Sequence, residues 1–223
     1  MTEDTLVRGY RDLARETPAR PRDILLRTLD LVLSAIFLVV TIPVAAAITL
    51  ALAATSGFPV FYRGERVGRG GRVFTMYKFR TLKPGAEARL GPYLGEELVR
   101  RTEEEFAPLG RRLKATQLDE IPQFLNVLRG DMSLVGPRPI RPRFFEELAH
   151  DLPAYWQRLV VRPGLTGLAQ VRRGYETSMA EKLAHDLEWI ADRSVRLYLR
   201  TVFATGWRVL KQSVRGLTSP SGD

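Results

Sequence analysis

The chain has 223 residues, 45% hydrophobic and 26% charged, long enough for a buried core and too apolar to be disordered throughout. It has no cysteine and only two histidines, His150 and His185, which excludes disulfides, thiolate or multi-histidine metal sites and cysteine nucleophiles. With 34 basic and 25 acidic residues the net charge is +9, a balance suited to phosphates, nucleic acid or a lipid surface.

Residues 1–23 are polar, carry Pro18 and Pro21, and read as a mobile or surface-lying lead. Residues 24–57 form the apolar segment, uncharged from Leu31 to Tyr62. Its length fits a membrane helix. A plain span fits less well. Both flanks are rich in arginine, and basic flanks prefer the cytoplasmic side. Pro43 interrupts the middle, removing a backbone hydrogen bond. Each limb beside it covers roughly 18 Å, too short for a hydrocarbon core about 30 Å thick. The expectation is a re-entrant helix–break–helix, broken at Pro43, that enters and leaves on one face.

Residues 58–215 read as the catalytic domain. Residues 58–63 and 73–81 are rich in aromatic and β-branched residues around VGRGGR (67–72), which predicts a hairpin. Its second strand sets Lys78 and Arg80 on one face and Tyr77 and Phe79 on the other. Residues 86–112 read as helical. Residues 116–129 read as one helix, capped by Thr116 and closed by Gly130, with Ile121, Leu125 and Leu128 buried. Residues 176–193 form a helix with Met179, Leu183 and Ile190 inward. Residues 193–215 form a basic amphipathic helix, with Arg193, Arg196, Arg200, Arg208, Lys211 and Arg215 on one arc and Val195, Leu199, Val202, Phe203 and Leu210 largely opposite. Such a helix covers a soluble core or lies on anionic lipid. Residues 216–223 are a tail. The fold class expected is α+β: a membrane anchor plus a small mixed domain with interfacial amphipathic helices.

The chemistry gathers at two places. Asp119 and Glu120 are adjacent carboxylates, which on their own commonly mark a helix N-terminus. GPRPIRPR (136–143) is stiffened by three prolines, and a polyproline II rod would set Arg138 and Arg141 on one side, about 9 Å apart, suited to a diphosphate. Carboxylates facing phosphates need a cation between them, usually Mg²⁺ on oxygen ligands. A carboxylate so placed can act as nucleophile. From the residues alone three readings stay open: a phosphoryl-transfer enzyme with a lipid-borne acceptor, a membrane-bound phosphohydrolase, and a non-catalytic basic scaffold on anionic lipid.

The string LDEIPQFLNVLRGDMSLVGPRP (118–139), with RPGLTGLAQV (162–171), YKFRT (77–81) and Arg27-x-x-Asp30 before the proline-interrupted helix, resembles the bacterial sugar transferases, monotopic polyprenyl-phosphate phosphoglycosyl transferases of the small, catalytic-unit-only type. The resemblance covers about residues 24–213. It implies transfer of a sugar 1-phosphate from a UDP-sugar to polyprenyl (undecaprenyl) phosphate with release of UMP, the first membrane step of surface polysaccharide synthesis. By the same resemblance Asp119 is the nucleophile and a Mg²⁺ ligand, and Glu120 is its acidic partner. Arg138, Arg141, Lys114, Lys78, Arg80 and Gln123 are the phosphate- or substrate-binding set. Arg27, Asp30 and Pro43 belong to the anchor. The implied partners are UDP-sugar, polyprenyl phosphate and membrane phospholipids, with no nucleic acid and a homodimer as candidate assembly. The implied place is the cytoplasmic face of the bacterial inner membrane. The sequence departs from the family pattern at Ile42, Lys114, Gln117 and Arg172-Arg173-Gly174.

Overall fold

The computed structural model describes residues 6–8, 20–90, 95–172 and 178–218. Most of the expected lead and the end of the tail lie outside this set. Within it, Leu6 is fully buried against Val67, Phe145 and Leu159, so that part of the lead belongs to the core and does not lie on the surface. A Cβ on Gly71 would meet the Leu6 backbone at 2.5 Å, which shows how closely the two segments pass.

Helix α1 runs Pro21–Ser56. Pro21 starts it where a missing N–H costs nothing, and Asp23 accepts from the Arg20 backbone N–H at 2.9 Å. The expected break at Pro43 is absent: α1 is one continuous helix with the proline inside it. Proline removes a single donor, and packing on both sides holds the two limbs. Nearby, the Thr41 hydroxyl donates to the Phe37 carbonyl at 2.7 Å. The end of α1 has no basic residue in its last turn. Arg80 supplies that charge from outside, donating to the Ser56 and Gly57 carbonyls at 2.5 and 2.9 Å and satisfying terminal carbonyls.

Strands β1 (Phe61–Val67) and β2 (Val73–Phe79) pair antiparallel, with Gly64 opposite Met76. The hairpin is as expected, but β1 starts and ends later than predicted. Its loop is the 3₁₀ turn Arg69–Gly71, with Gly70 and Gly71 both at positive φ. Three helices follow: α2 (Ala86–Leu90), α3 (Gly95–Glu104) and α4 (Gly110–Thr116).

The single helix expected over 116–129 is divided. Helix α4 ends at Gln117, whose φ is 57°. A 3₁₀ turn, Leu118–Glu120, carries the two acids. Helix α5 then runs Gln123–Arg129 and closes on Gly130 at φ 92°. Left-handed Gln117 ends α4, and Pro122, which cannot donate a backbone hydrogen bond, separates the acidic turn from α5. The buried face also shifts. Ile121, Asn126 and Val127 are buried, whereas Leu125 is 40% exposed.

Strands β3 (Ser133–Val135) and β4 (Gly164–Thr166) pair in parallel. Between them lie α6 (Pro142–Asp151) and the 3₁₀ segment Pro153–Val160. Helices α7 (Leu168–Arg172), α8 (Met179–Asp192) and α9 (Val195–Thr218) complete the chain. On α8 the Ser178 side chain accepts the Glu181 N–H, and Leu183 and Ile190 are buried as expected.

Three apolar clusters make the core. The first joins Leu26 of α1 to Met76, Val127, Leu134, Trp189 and Tyr198. The second gathers Val67, Phe145, Tyr155 and Leu183. The third joins Leu52 of α1 to Val60, Phe79, Leu113 and Ile121. Asp30 binds the first together. Buried on α1, it accepts from Ser133 Oγ (2.9 Å), the Leu134 N–H (2.8 Å) and Tyr198 OH (2.9 Å), with Arg27 3.7 Å away. Arg27 in turn donates to the Leu128 and Met132 carbonyls.

Candidate active site

The 3₁₀ turn after Gln117 aims Asp119 and Glu120 into a cavity of about 680 Å³. Strand β2 supplies Lys78, whose Nζ donates to Glu120 Oε1 at 2.5 Å and stands 3.8 Å from Asp119 Oδ2. The segment after β3 supplies Arg138, 3.9 Å from the same Glu120 oxygen. Lys114 enters from α4, over the ring of Phe106. Gln123, buried at the start of α5, stands beside Glu120 and helps hold it ionised.

The two carboxyls differ in charge state. Burial opposes the ionisation of Glu120, but Lys78 and Arg138 outweigh it and hold its pKa below the ordinary value. Burial pushes Asp119 up to about 6, and the negative Glu120 adds to the rise while Lys78 and Lys114 oppose it. An acid and base set apart in this way by their surroundings is a mark of chemical sites.

Backbone packing fixes Arg138. The Gly136 N–H donates to the Thr166 carbonyl at 2.9 Å, and the Gly164 N–H donates to the Pro137 carbonyl at 2.8 Å. A Cβ on Gly164 would fall 2.1 Å from the Gly136 nitrogen, so the two recognised motifs meet backbone to backbone. Beneath them Arg158 is buried. It donates to Asp186 Oδ2 (2.9 Å), Tyr155 OH (2.6 Å) and the Arg138 carbonyl (2.7 Å).

Of the residues expected from sequence, Asp119, Glu120, Lys78, Lys114 and Arg138 line the cavity, and Gln123 lies behind them. Arg141 does not line it. The Ile140 carbonyl accepts the Val67 N–H, so the segment is tied to β1 and is no free rod. Arg141 caps α6 and donates to Tyr62 OH at 3.3 Å. Arg80 serves the end of α1 and Arg27 and Asp30 serve its start; none of the three lines the cavity.

Sequence reasoning gave no role to Arg158, Asp186, Thr166, Gln170 or Lys182, which all line the cavity. The RPGLTGLAQV string was the available signal, since it holds β4 and α7. Helix α9 forms the far wall. Thr205 Oγ1 meets Thr166 Oγ1 at 2.7 Å, and Arg208 donates to the Gln170 and Val171 carbonyls.

Among the described residues no cluster of three or more His, Cys, Asp or Glu could hold a metal. Asp119 nevertheless fits Mg²⁺. No described side chain hydrogen-bonds its carboxylate, and this cation usually takes one or two protein carboxylates and completes its shell with water and substrate phosphate.

The chain is similar to several known proteins. The chain is 34% identical over 182 residues to the UDP-N-acetylgalactosamine-undecaprenyl-phosphate N-acetylgalactosaminephosphotransferase of Aeromonas hydrophila, covering 80% of this chain and 42% of that protein. It is 38% identical over 189 residues to the UDP-glucose:undecaprenyl-phosphate glucose-1-phosphate transferase of Caulobacter vibrioides, covering 81% and 69%. It is 37% identical over 188 residues to the protein of the same description from Escherichia coli, covering 82% and 39%. The chain thus spans about two fifths of the first and third of these relatives and about two thirds of the second. The sequence model of the bacterial sugar transferases matches residues 21–212, the anchor helix and every element that builds the cavity, and the chain belongs to that family.

Proposed function

We propose that the cavity transfers a sugar 1-phosphate from a UDP-sugar to polyprenyl phosphate and releases UMP. The observation that carries this reading is Asp119, a buried carboxyl with no side-chain hydrogen bond among the described residues, 3.8 Å from Lys78 and in one cavity with Arg138. The Asp119 carboxylate attacks the sugar-bearing phosphorus of the donor. The bond from that phosphorus to the UMP oxygen breaks, UMP leaves, and an aspartyl phosphosugar remains. The phosphate oxygen of the lipid acceptor then attacks the same phosphorus. This releases the lipid diphosphate sugar and restores the carboxylate. Arg138 binds phosphate oxygens through a guanidinium fork suited to them. Lys78 holds Glu120 ionised and orients it beside the nucleophile. Mg²⁺ held by Asp119 would supply positive charge where the diphosphate meets the acidic pair.

The same proposal makes α1 a re-entrant anchor, bent at Pro43 by the lost hydrogen bond. Both limbs support this. Leu26, Leu29 and Leu33 pack in the first cluster, and Ala45, Ile48 and Leu52 pack in the third. A helix docked at both ends on one domain enters and leaves on one side. Its other face exposes Ile36, Val39, Val40, Ile42 and Leu50 to lipid. Helix α9 adds a second membrane contact. Phe203, Trp207 and Leu210 are 73%, 64% and 56% exposed at helical spacing, beside exposed Arg200 and Lys211, an interfacial pattern. The site therefore opens at the cytoplasmic surface of the inner membrane, where a lipid-borne phosphate can reach it.

The test is UMP release by nanodisc-embedded protein with Mg²⁺, undecaprenyl phosphate and a panel of UDP-sugars. Turnover that needs both the lipid acceptor and Mg²⁺ supports the reading. Release of sugar phosphate without the acceptor would favour hydrolysis and overturn it.

A further inference from the structure

A second charged cleft lies at the opposite end of α1 from Arg80. It has a volume of about 60 Å³ and is lined by Arg27, Arg69, Arg162, Arg193, Asp23 and Asp30 among others. None of these residues lines the catalytic cavity. The charges do not balance. Arg193 donates to both oxygens of Asp23, at 2.7 and 2.9 Å. Arg27 stands 3.7 Å from Asp30. No carboxylate within salt-bridge distance remains among the described residues for Arg162 or Arg69. Among the described residues the Arg162 side chain has one hydrogen bond, to the Gly130 carbonyl at 2.9 Å, and a carbonyl carries no formal charge. Arg69 is held over the cleft by the tight turn of Gly70 and Gly71.

The arginines also repel one another. Burial first, and then the charges of Arg27 and Arg69, lower the Arg162 pKa, and the more weakly acting Asp30 and Asp23 do not offset them. Bringing such groups together has an electrostatic cost that a bound anion removes. The position says which anion. Ile24 and Leu25, in the turn of α1 that contributes Asp23 and Leu26 to the cleft, are 75% and 51% exposed. The cleft sits where the helix turns from polar to apolar, at the depth of lipid headgroups.

We infer that this cleft binds the headgroup phosphate of an anionic phospholipid, separately from the catalytic cavity. Arg69 and Arg162 grip the phosphate oxygens, as paired guanidiniums do. Arg27 and Arg193 keep their carboxylates and add field. The bound lipid would fix the depth of the start of α1. The inference rests on reading α1 as a membrane anchor.

The test is native mass spectrometry of the whole chain in mild detergent, counting retained phosphatidylglycerol against phosphatidylcholine. The variants are Arg69→Gln, Arg162→Gln and the pair, with Arg143→Gln, exposed on α6, as control. Wild type and the control retain phosphatidylglycerol, and the paired variant loses it by roughly tenfold, the effect of about 1.4 kcal/mol. Phosphatidylcholine retention stays the same. Equal phosphatidylglycerol retention in all proteins would overturn the inference, as would an equal loss in the control. Inorganic phosphate forms a separate arm. If it raises the melting temperature of wild type but not of the pair, while lipid retention is unchanged, the site takes a free anion and the lipid assignment falls. Sedimentation with neutral phosphatidylcholine vesicles tests the anchor on its own, so loss of membrane binding there counts against the anchor and leaves the lipid count to decide the cleft.

Discussion

Asp119 and Glu120 are chemically the same group, and their neighbours make them different. Glu120 has Lys78 at 2.5 Å and Arg138 at 3.9 Å, while Asp119 is buried with Lys78 only at 3.8 Å. An attacking carboxylate must be ionised. With the Asp119 pKa pushed up to about 6, the group is protonated and inert below that value and competent above it. Carbon-13 NMR of aspartate-labelled, metal-free protein should show one carboxyl titrating near 6, and Asp119→Asn should remove that signal. The same variant should bring UMP release to background while leaving membrane association intact. Full activity would refute the nucleophile. Lys78→Gln removes a cation that opposes the rise, so it should move the Asp119 midpoint upward. A midpoint unmoved by that change would mean that Lys78 does not act on it. The acids were legible in sequence from their motif. Their charge states were not, because Lys78 lies 41 positions earlier and meets them only after the chain folds.

The elements carry strain and support that no single residue shows. Gln117 sits at φ 57°, in a region that costs a non-glycine residue about 1 kcal/mol or more, two residues before Asp119. Such outliers gather at functional sites. Gln117→Gly should raise stability by about 1 kcal/mol, read as a higher denaturant midpoint with an unchanged slope. No gain would show that the turn is unstrained. Arg158 is the other case. It joins the 3₁₀ segment, α8 through Asp186 and the backbone of Arg138. Arg158→Ala leaves Asp186 buried without a partner and should lose about 3–5 kcal/mol. Arg158→Lys keeps the charge but not the fork, and should keep the fold while lowering kcat/KM about tenfold. Replacing both partners, Arg158→Met with Asp186→Leu, should recover stability without recovering activity. Recovery of both would make the pair purely structural. Sequence periodicity could not find this pair, because Arg158 lies in a 3₁₀ segment without a clean helical stripe. It also merged the acidic turn and α5 into one helix, since the apolar spacing continues across Pro122.

For the molecule as a whole, the central question is which side of the membrane each end of α1 occupies. A cysteine-free chain allows a direct measurement. Arg22→Cys and Glu65→Cys lie on exposed residues at either side of the helix. In oriented vesicles both should react with an impermeant maleimide from the same side. Opposite-side labelling would establish a true span and remove the re-entrant anchor. The sequence argues for this topology through charge alone, because arginines flank the apolar segment on both sides. The expected apolar arc of α9 is divided in the fold: Phe203 and Leu210 join Trp207 in one outward stripe, while Val195, Leu199 and Val202 pack against the core. A stripe can be read from spacing, but whether it meets protein or lipid depends on what the rest of the chain leaves uncovered.

What the sequence determined by itself is local or additive: the apolar anchor, the basic balance, the hairpin, the glycine closing α5, and the strings that carry the acids and Arg138. These depend on neighbours within a few positions, where periodicity and turn chemistry act. The tertiary structure decided what depends on distant partners meeting. It brought Lys78 to the acids, sent Arg80 to the end of α1 and Arg141 to Tyr62, set Arg158 beneath Arg138, and left Arg69 and Arg162 without an ion-paired carboxylate among the described residues. Burial and Coulomb forces act through space, and a residue's position along the chain does not say what will stand 3 Å from it.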